Sequence, residues 1–135
     1  MNIEIIKNKT ETSAIIVYHK FLKKINTGVN FLTANHLPMQ LGYLKHKKNK
    51  IIQAHFHKKF PRKINISTEV LIMKKGILKV EFYNIKKKIF AQRVLKTGDI
   101  ILLLGGGHGF FCLKDCEIIE VKQGPYYLKK DKIRI

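Results

Sequence analysis

Tryptophan is absent from this 135-residue chain, proline occurs three times, cysteine twice, and arginine only at Arg62, Arg93 and Arg134. Each shortage narrows the field. Two cysteines, Cys112 and Cys116, make no disulfide framework, and a chain of this length has room for a core that needs none, so it is read as one domain spanning 1–135. The string FCLKDCEIIE admits a local disulfide, a C-x3-C metal pair or two reduced thiols, and the last suits a cytoplasmic protein; no chemistry is assigned to it. No apolar run approaches the roughly 18 to 20 residues that span a bilayer. Nor does a charged start lead into an apolar stretch with a small-residue cleavage site. A cytoplasmic location without membrane contact is the expectation.

Acidic residues are scarce as well, 9 against 27 lysines and arginines, for a formal charge of +18. Such a balance ordinarily points to nucleic acid. Here 27 minus 3 leaves 24 lysines, scattered through almost every loop, while arginine, the residue suited to base edges and paired phosphate contacts, is nearly missing. Nucleic acid is therefore not the expected partner. The positive field favours an anionic small molecule or carbohydrate, such as a sugar phosphate or a sugar nucleotide.

What is also missing is a 3.6-residue apolar period lasting a dozen residues. In its place come short alternating or apolar strings separated by turn residues: MNIEII, SAIIVYHKF, VNFLT, MQLGYL, IIQAHFH, STEVLIMKK, ILKVEFYN, IFAQRVL, IILLL, and two more across Phe110–Cys112 and Cys116–Lys122. The spacing predicts an all-β fold, a sandwich or small barrel. TEVLIMKK reads as a strand buried on both faces and Gly76 as the tight turn of a hairpin. The tail KKDKIRI reads as a loosely held end. Strands apolar on both faces leave an edge to be covered, so a homodimer is expected.

Candidate chemistry gathers between Gln53 and Gly109. On a strand, residues two apart share a face, so His55 and His57 would aim at one point, with Gln53 beside them as a candidate substrate contact. Glu69 would be costly to bury in an apolar strand unless a cation met it. Gly105-Gly106-Gly107 allow close backbone approach and present His108. Imidazoles with a carboxylate suit a divalent transition metal, zinc, iron, manganese or nickel, that keeps open positions. Glu120 and Lys122 share a strand face and form either a polar pocket wall or a solvated edge with Ile119 and Val121 inward. Lys122 would attract a phosphate, or donate a proton if burial lowered its pKa. Tyr126, beyond Pro125, either closes the mouth or packs. His36 and His46 have no partner at ligand spacing and read as structural.

HFH, Glu69 followed by Gly76, and GDI with a Gly-rich loop and His108 resemble the two-motif pattern of the cupin superfamily, over about residues 39–122, with N-terminal strands at 1–38 and a tail at 127–135. The resemblance implies a double-stranded β-helix, or jelly roll, with a metal held by His55, His57, Glu69 and His108. Eleven residues separate His57 from Glu69, where the usual motif has three or four. TEVLIMKKG, GDIILLLGGGHGF and EVKQGPY are similar to small cupins of bacterial surface-polysaccharide gene clusters. That likeness implies work on a nucleotide sugar or related carbohydrate and does not choose a reaction; the first expectation for the reaction is a metal-dependent isomerase or epimerase, in which the metal polarises a carbonyl while a base moves a proton. The alternative is a non-catalytic carbohydrate- or metabolite-binding module.

Overall fold

In a computed structural model of the chain, which describes residues 3–135, the architecture is all-β. By its internal contacts the chain divides into two compact units, one combining the residues up to Lys23 with Ile66–Ile135, the other Lys24–Asn65. They are described separately.

The first unit contains β1 (Ile3–Lys7), β2 (Thr12–Val17) and a single helical turn, α1 (His19–Leu22). After the second unit it continues with β5 (Glu69–Lys75), β6 (Ile77–Tyr83), β7 (Ile89–Lys96), β8 (Ile100–Leu103), β9 (Gly107–Cys112) and β10 (Glu117–Lys122). The second unit carries β3 (Gly28–Phe31) and β4 (Gly42–Lys45), paired antiparallel with Val29 opposite Leu44. Its loop is held by Gln40, whose side-chain amide donates to the Ala34 and Leu37 carbonyls at 2.9 Å each.

In the first unit one antiparallel sheet has the order β1-β2-β8-β5-β10, the other β7-β6-β9. Alternation sets the packing. In β6, Leu78, Val80 and Phe82 are buried, while Lys79, Glu81 and Tyr83 lie on the other face and are only partly covered. They meet Ile6, Ala14, Ile16, Leu71, Met73, Leu95, Ile101 and Leu103 in one core fed by both sheets. As the apolar pattern predicts, β5 is buried on both faces, since Val70 on the opposite face is as covered as Leu71 and Met73. Gly76 makes the expected tight turn at φ +95°, and a Cβ there would lie 2.1 Å from the Asp115 carbonyl oxygen, so no other residue fits; the hairpin expected there is not formed, because β5 and β6 enter different sheets and do not pair.

Three local expectations are corrected. The strand read through SAIIVYHKF stops at Val17, because Asp99, buried at the β7–β8 turn, takes the His19 N–H at 2.8 Å and starts α1 instead. Asp99 also takes the Lys96 N–H at 2.8 Å, a structural role. Secondly, Ile119 and Val121 do not face inward. β10 is the free edge of its sheet, and they are 46% and 51% exposed. Thirdly, IIQAHFH forms no strand. Every residue from Ile51 to Ser67 is exposed and none belongs to a sheet. A lone extended segment without a neighbouring edge gains no ladder bonds, however well its side chains alternate.

Candidate functional site

β5 and β9 belong to different sheets, yet register brings one polar residue of each to the shared interior. Phe82 pairs with His108 across β6 and β9, so His108 takes the core-facing side of its strand. Glu69 lies on the β5 face that carries Leu71 and Met73. The two meet, His108 Nε2 standing 3.3 Å from Glu69 Oε2. On the other side β10 places Lys122 directly opposite Glu69, with Nζ 3.6 Å from Oε1. A buried carboxylate in an apolar strand thus meets a cation after all, and the cation is a lysine.

Lys122 has a second partner. Its Nζ lies 2.5 Å from Asp131 Oδ2, and Ser67 donates to Asp131 Oδ1 at 2.5 Å. The tail is thereby tied to both β10 and the approach to β5, which corrects its reading as a loose end. Farther along, a Cβ on Gly107 would come within 2.6 Å of Ile135 Cδ1, so that glycine leaves the space the tail occupies. These elements line a half-open cavity of about 590 Å³, whose walls include Glu69, His108, Tyr83, the Gly105–Gly107 turn and the tail from Asp131 to Ile135. That volume suits a small molecule.

The electrostatics are consistent with the distances. The hydrogen bond from His108 holds the Glu69 carboxyl below its ordinary value, against the opposing effect of burial. Asp131 is lowered by Lys122 and Ser67, and Lys122 is raised, chiefly by Asp131. A lysine so held keeps its proton, so the condition under which Lys122 would act as a proton donor near neutrality is not met. Glu69, held ionised, is a weak base for the same reason.

Glu120 and Tyr126 do not line this cavity. Glu120 is exposed on β10, and Tyr126 is 58% exposed with its ring 4.8 Å from Lys122 Nζ. Gln53, His55 and His57 are exposed in the irregular stretch of the second unit. Although the strand expected to orient them is not formed, the two imidazoles do meet, ring centroids 5.0 Å apart at 72°, and His55 Nδ1 lies 3.0 Å from the Gln53 carbonyl. Cys112 and Cys116 are free thiols. Asp131, Lys132, Arg134 and Tyr83 were not singled out by the sequence. The available signal for the tail is the alternation Lys132-Ile133-Arg134-Ile135, which reads equally as a charged end.

The donor set of the first unit by itself does not fit a metal centre. One imidazole and one carboxylate converge, already paired to each other, and an ammonium group stands where a second cation would have to approach Glu69. Among the described residues no three His, Cys, Asp or Glu side chains gather in a way that could hold an ion. No helix among the described residues is long and apolar enough to cross a membrane. Comparison with known proteins returns no matching family model, no matching curated protein and no matching solved structure.

Proposed function

We propose that the first unit is a binding module for a small anionic carbohydrate or related metabolite, received in the cavity between the two sheets and oriented by Glu69 and His108. The observation that carries this reading is the meeting of two polar side chains, 39 positions apart in sequence, at the wall of the cavity beside the apolar core. A buried carboxylate costs stability unless it is paired, and such groups in a cavity are characteristic of sites that recognise polar ligands. The lowered Glu69 and raised Lys122 favour recognition over proton transfer.

The cupin-type jelly roll is part of the proposal. Its support is the path of the chain, which passes back and forth between the sheets from β5 to β10. So are a cytoplasmic setting and a homodimer. Exposed Phe110, Phe111, Ile118, Ile119 and Val121 on the edge strands β9 and β10 support the dimer, and a monomer in light scattering at working concentration would count against it.

The convergence of Glu69 with His108 also favours a second reading, a metal-dependent sugar isomerase or epimerase whose ligands would be those two with His55 and His57, holding zinc, iron, manganese or nickel. Two measurements separate the readings. Ligand-observed NMR with a panel of sugars, sugar phosphates and nucleotide sugars is expected to find binding that His108→Ala abolishes; binding untouched by that substitution rejects the cavity. Elemental analysis of untagged protein purified without chelator supports the second reading if one metal per chain is found and lost in His55→Ala.

A further inference from the structure

We propose that the second unit docks on an anionic lipid bilayer, the apolar face of its hairpin entering the headgroup boundary while its lysines meet the lipid charges. The inference is independent of the cavity and concerns that unit alone. Its basis is first the distribution of charge. Lys24–Asn65 holds 9 of the 27 lysines and arginines and none of the 9 acidic residues, because none lies between Glu11 and Glu69. Half of the net charge of +18 thus falls on less than a third of the chain. All nine cations are exposed, and among the described residues none of them makes an ion pair within 4.0 Å.

Open apolar groups share this unit. In the β3–β4 hairpin Val29 stands opposite Leu44, and Phe31, two residues on, takes the same face. Val29, Leu44 and Phe31 are 54%, 54% and 62% exposed, so that face is open. It is also continuous, since a Cβ on Gly42 would lie 3.3 Å from Phe31 Cε1 and 3.6 Å from Leu44 Cδ1. After β4 the chain turns through Lys47, Lys48 and Lys50 and runs on, exposed and outside any sheet, past Ile51 and a fully exposed Phe56 to Lys58. The chemistry selects the occupant. A second copy of the unit would set nine positive charges against nine. Nucleic acid favours arginine, yet eight of the nine cations are lysine, and the aliphatic Val29, Leu44 and Ile51 offer bases no ring to stack on. An anionic bilayer supplies both halves at once, acyl chains for the apolar face and lipid charge at the level to which a lysine stem extends its ammonium. The absence of a spanning run, which set the expectation of no membrane contact, does not bear on contact of this kind, and the cytoplasmic leaflet is an anionic one.

The test is co-sedimentation of the full chain with sucrose-loaded vesicles of phosphatidylcholine, with and without phosphatidylserine. Binding is expected only where phosphatidylserine is present, together with slower trypsin cleavage between Lys58 and Lys63. K47Q/K48Q should weaken it by about tenfold or more, while K86Q/K87Q, a pair in the exposed β6–β7 turn of the first unit, should change it by less than about twofold. F31S/F56S should weaken it by about tenfold or more, and Phe56→Ser alone, at a position outside any sheet where the hairpin is not at risk, by about threefold or more. The docking surface is overturned by an absence of binding, by equal binding to phosphatidylcholine alone, or by an equal loss in K86Q/K87Q, which would mean diffuse adsorption to a basic protein. Affinity indifferent to both phenylalanine variants would overturn the entry of the apolar face. Tighter binding to a single-stranded RNA, lost in K47Q/K48Q and untouched in Phe56→Ser, would assign the surface to nucleic acid instead.

Discussion

Two stretches carry the residues that the sequence marks as chemistry, and they differ in what surrounds them. Ile51–His57 alternates as a strand should and has β-branched and aromatic residues, yet Ile51 is 84% exposed, Phe56 fully so, and no sheet includes them. Glu69–Lys75, no richer in such residues, lies between β8 and β10 and is buried on both faces over Glu69, Val70, Leu71 and Met73. Side-chain alternation is thus permission for a strand and not its cause. Ladder bonds to two neighbours and burial against a second sheet decide, and neither is written in the local string.

The largest effect that would break this comparison is in stability. Phe82→Ala, in the core of the first unit, is expected to cost about 3–5 kcal/mol in urea unfolding, and Phe56→Ala to stay within about 0.5 kcal/mol. Comparable losses would show that residues 51–57 are packed in solution. Limited proteolysis gives a second contrast: trypsin should cut first at Lys58, Lys59, Arg62 or Lys63, all exposed and outside any sheet, well before Lys79 in β6. Early cleavage at Lys79 would reverse the ranking.

A smaller effect sharpens the contrast through pH. Glu69 has a carboxyl pKa lowered from 4.5, so its stabilising contribution is full above that value and is lost as pH falls through the lowered one. In Glu69→Gln the acid limb of an unfolding-versus-pH curve should be shallower; an unchanged limb would mean the His108 contact does not form. A double-mutant cycle on Glu69 and His108 should give a coupling of about 0.5–1.5 kcal/mol, reduced by the partial exposure of the imidazole. The smallest change expected is from Gly107→Ala, whose Cβ would meet Ile135 Cδ1 at 2.6 Å and Tyr83 Cβ at 3.0 Å and should raise hydrogen exchange at the tail and at the Tyr83 end of β6, leaving Leu78 and Val80 protected.

Legibility followed the same divide. The all-β class, the tight turn at Gly76 and the two-sided burial of β5 were readable because alternation, apolar runs and a turn glycine agree there, whereas the hairpin expected at Gly76 was not, since β6 leaves β5 for the other sheet. Glu69 was marked by the cost of burying its charge, but the cation expected to meet it was a metal, where the structure brings the Lys122 ammonium. Four strands lie between Glu69 and Lys122 in the sequence, and only the β5–β10 register puts them opposite one another. Asp131 and the tail were illegible because their role depends on long-range contacts with Ser67, Lys122 and Gly107, and an end rich in lysine looks the same whether anchored or free.

The central claim is that the working site is the cavity of Glu69 and His108 and not the exposed histidine pair. It is tested most directly by measuring the affinity of one ligand from the carbohydrate panel for His108→Ala and for H55A/H57A side by side. The cavity account predicts loss of binding in the first and parent-like affinity in the second; loss confined to H55A/H57A would contradict it.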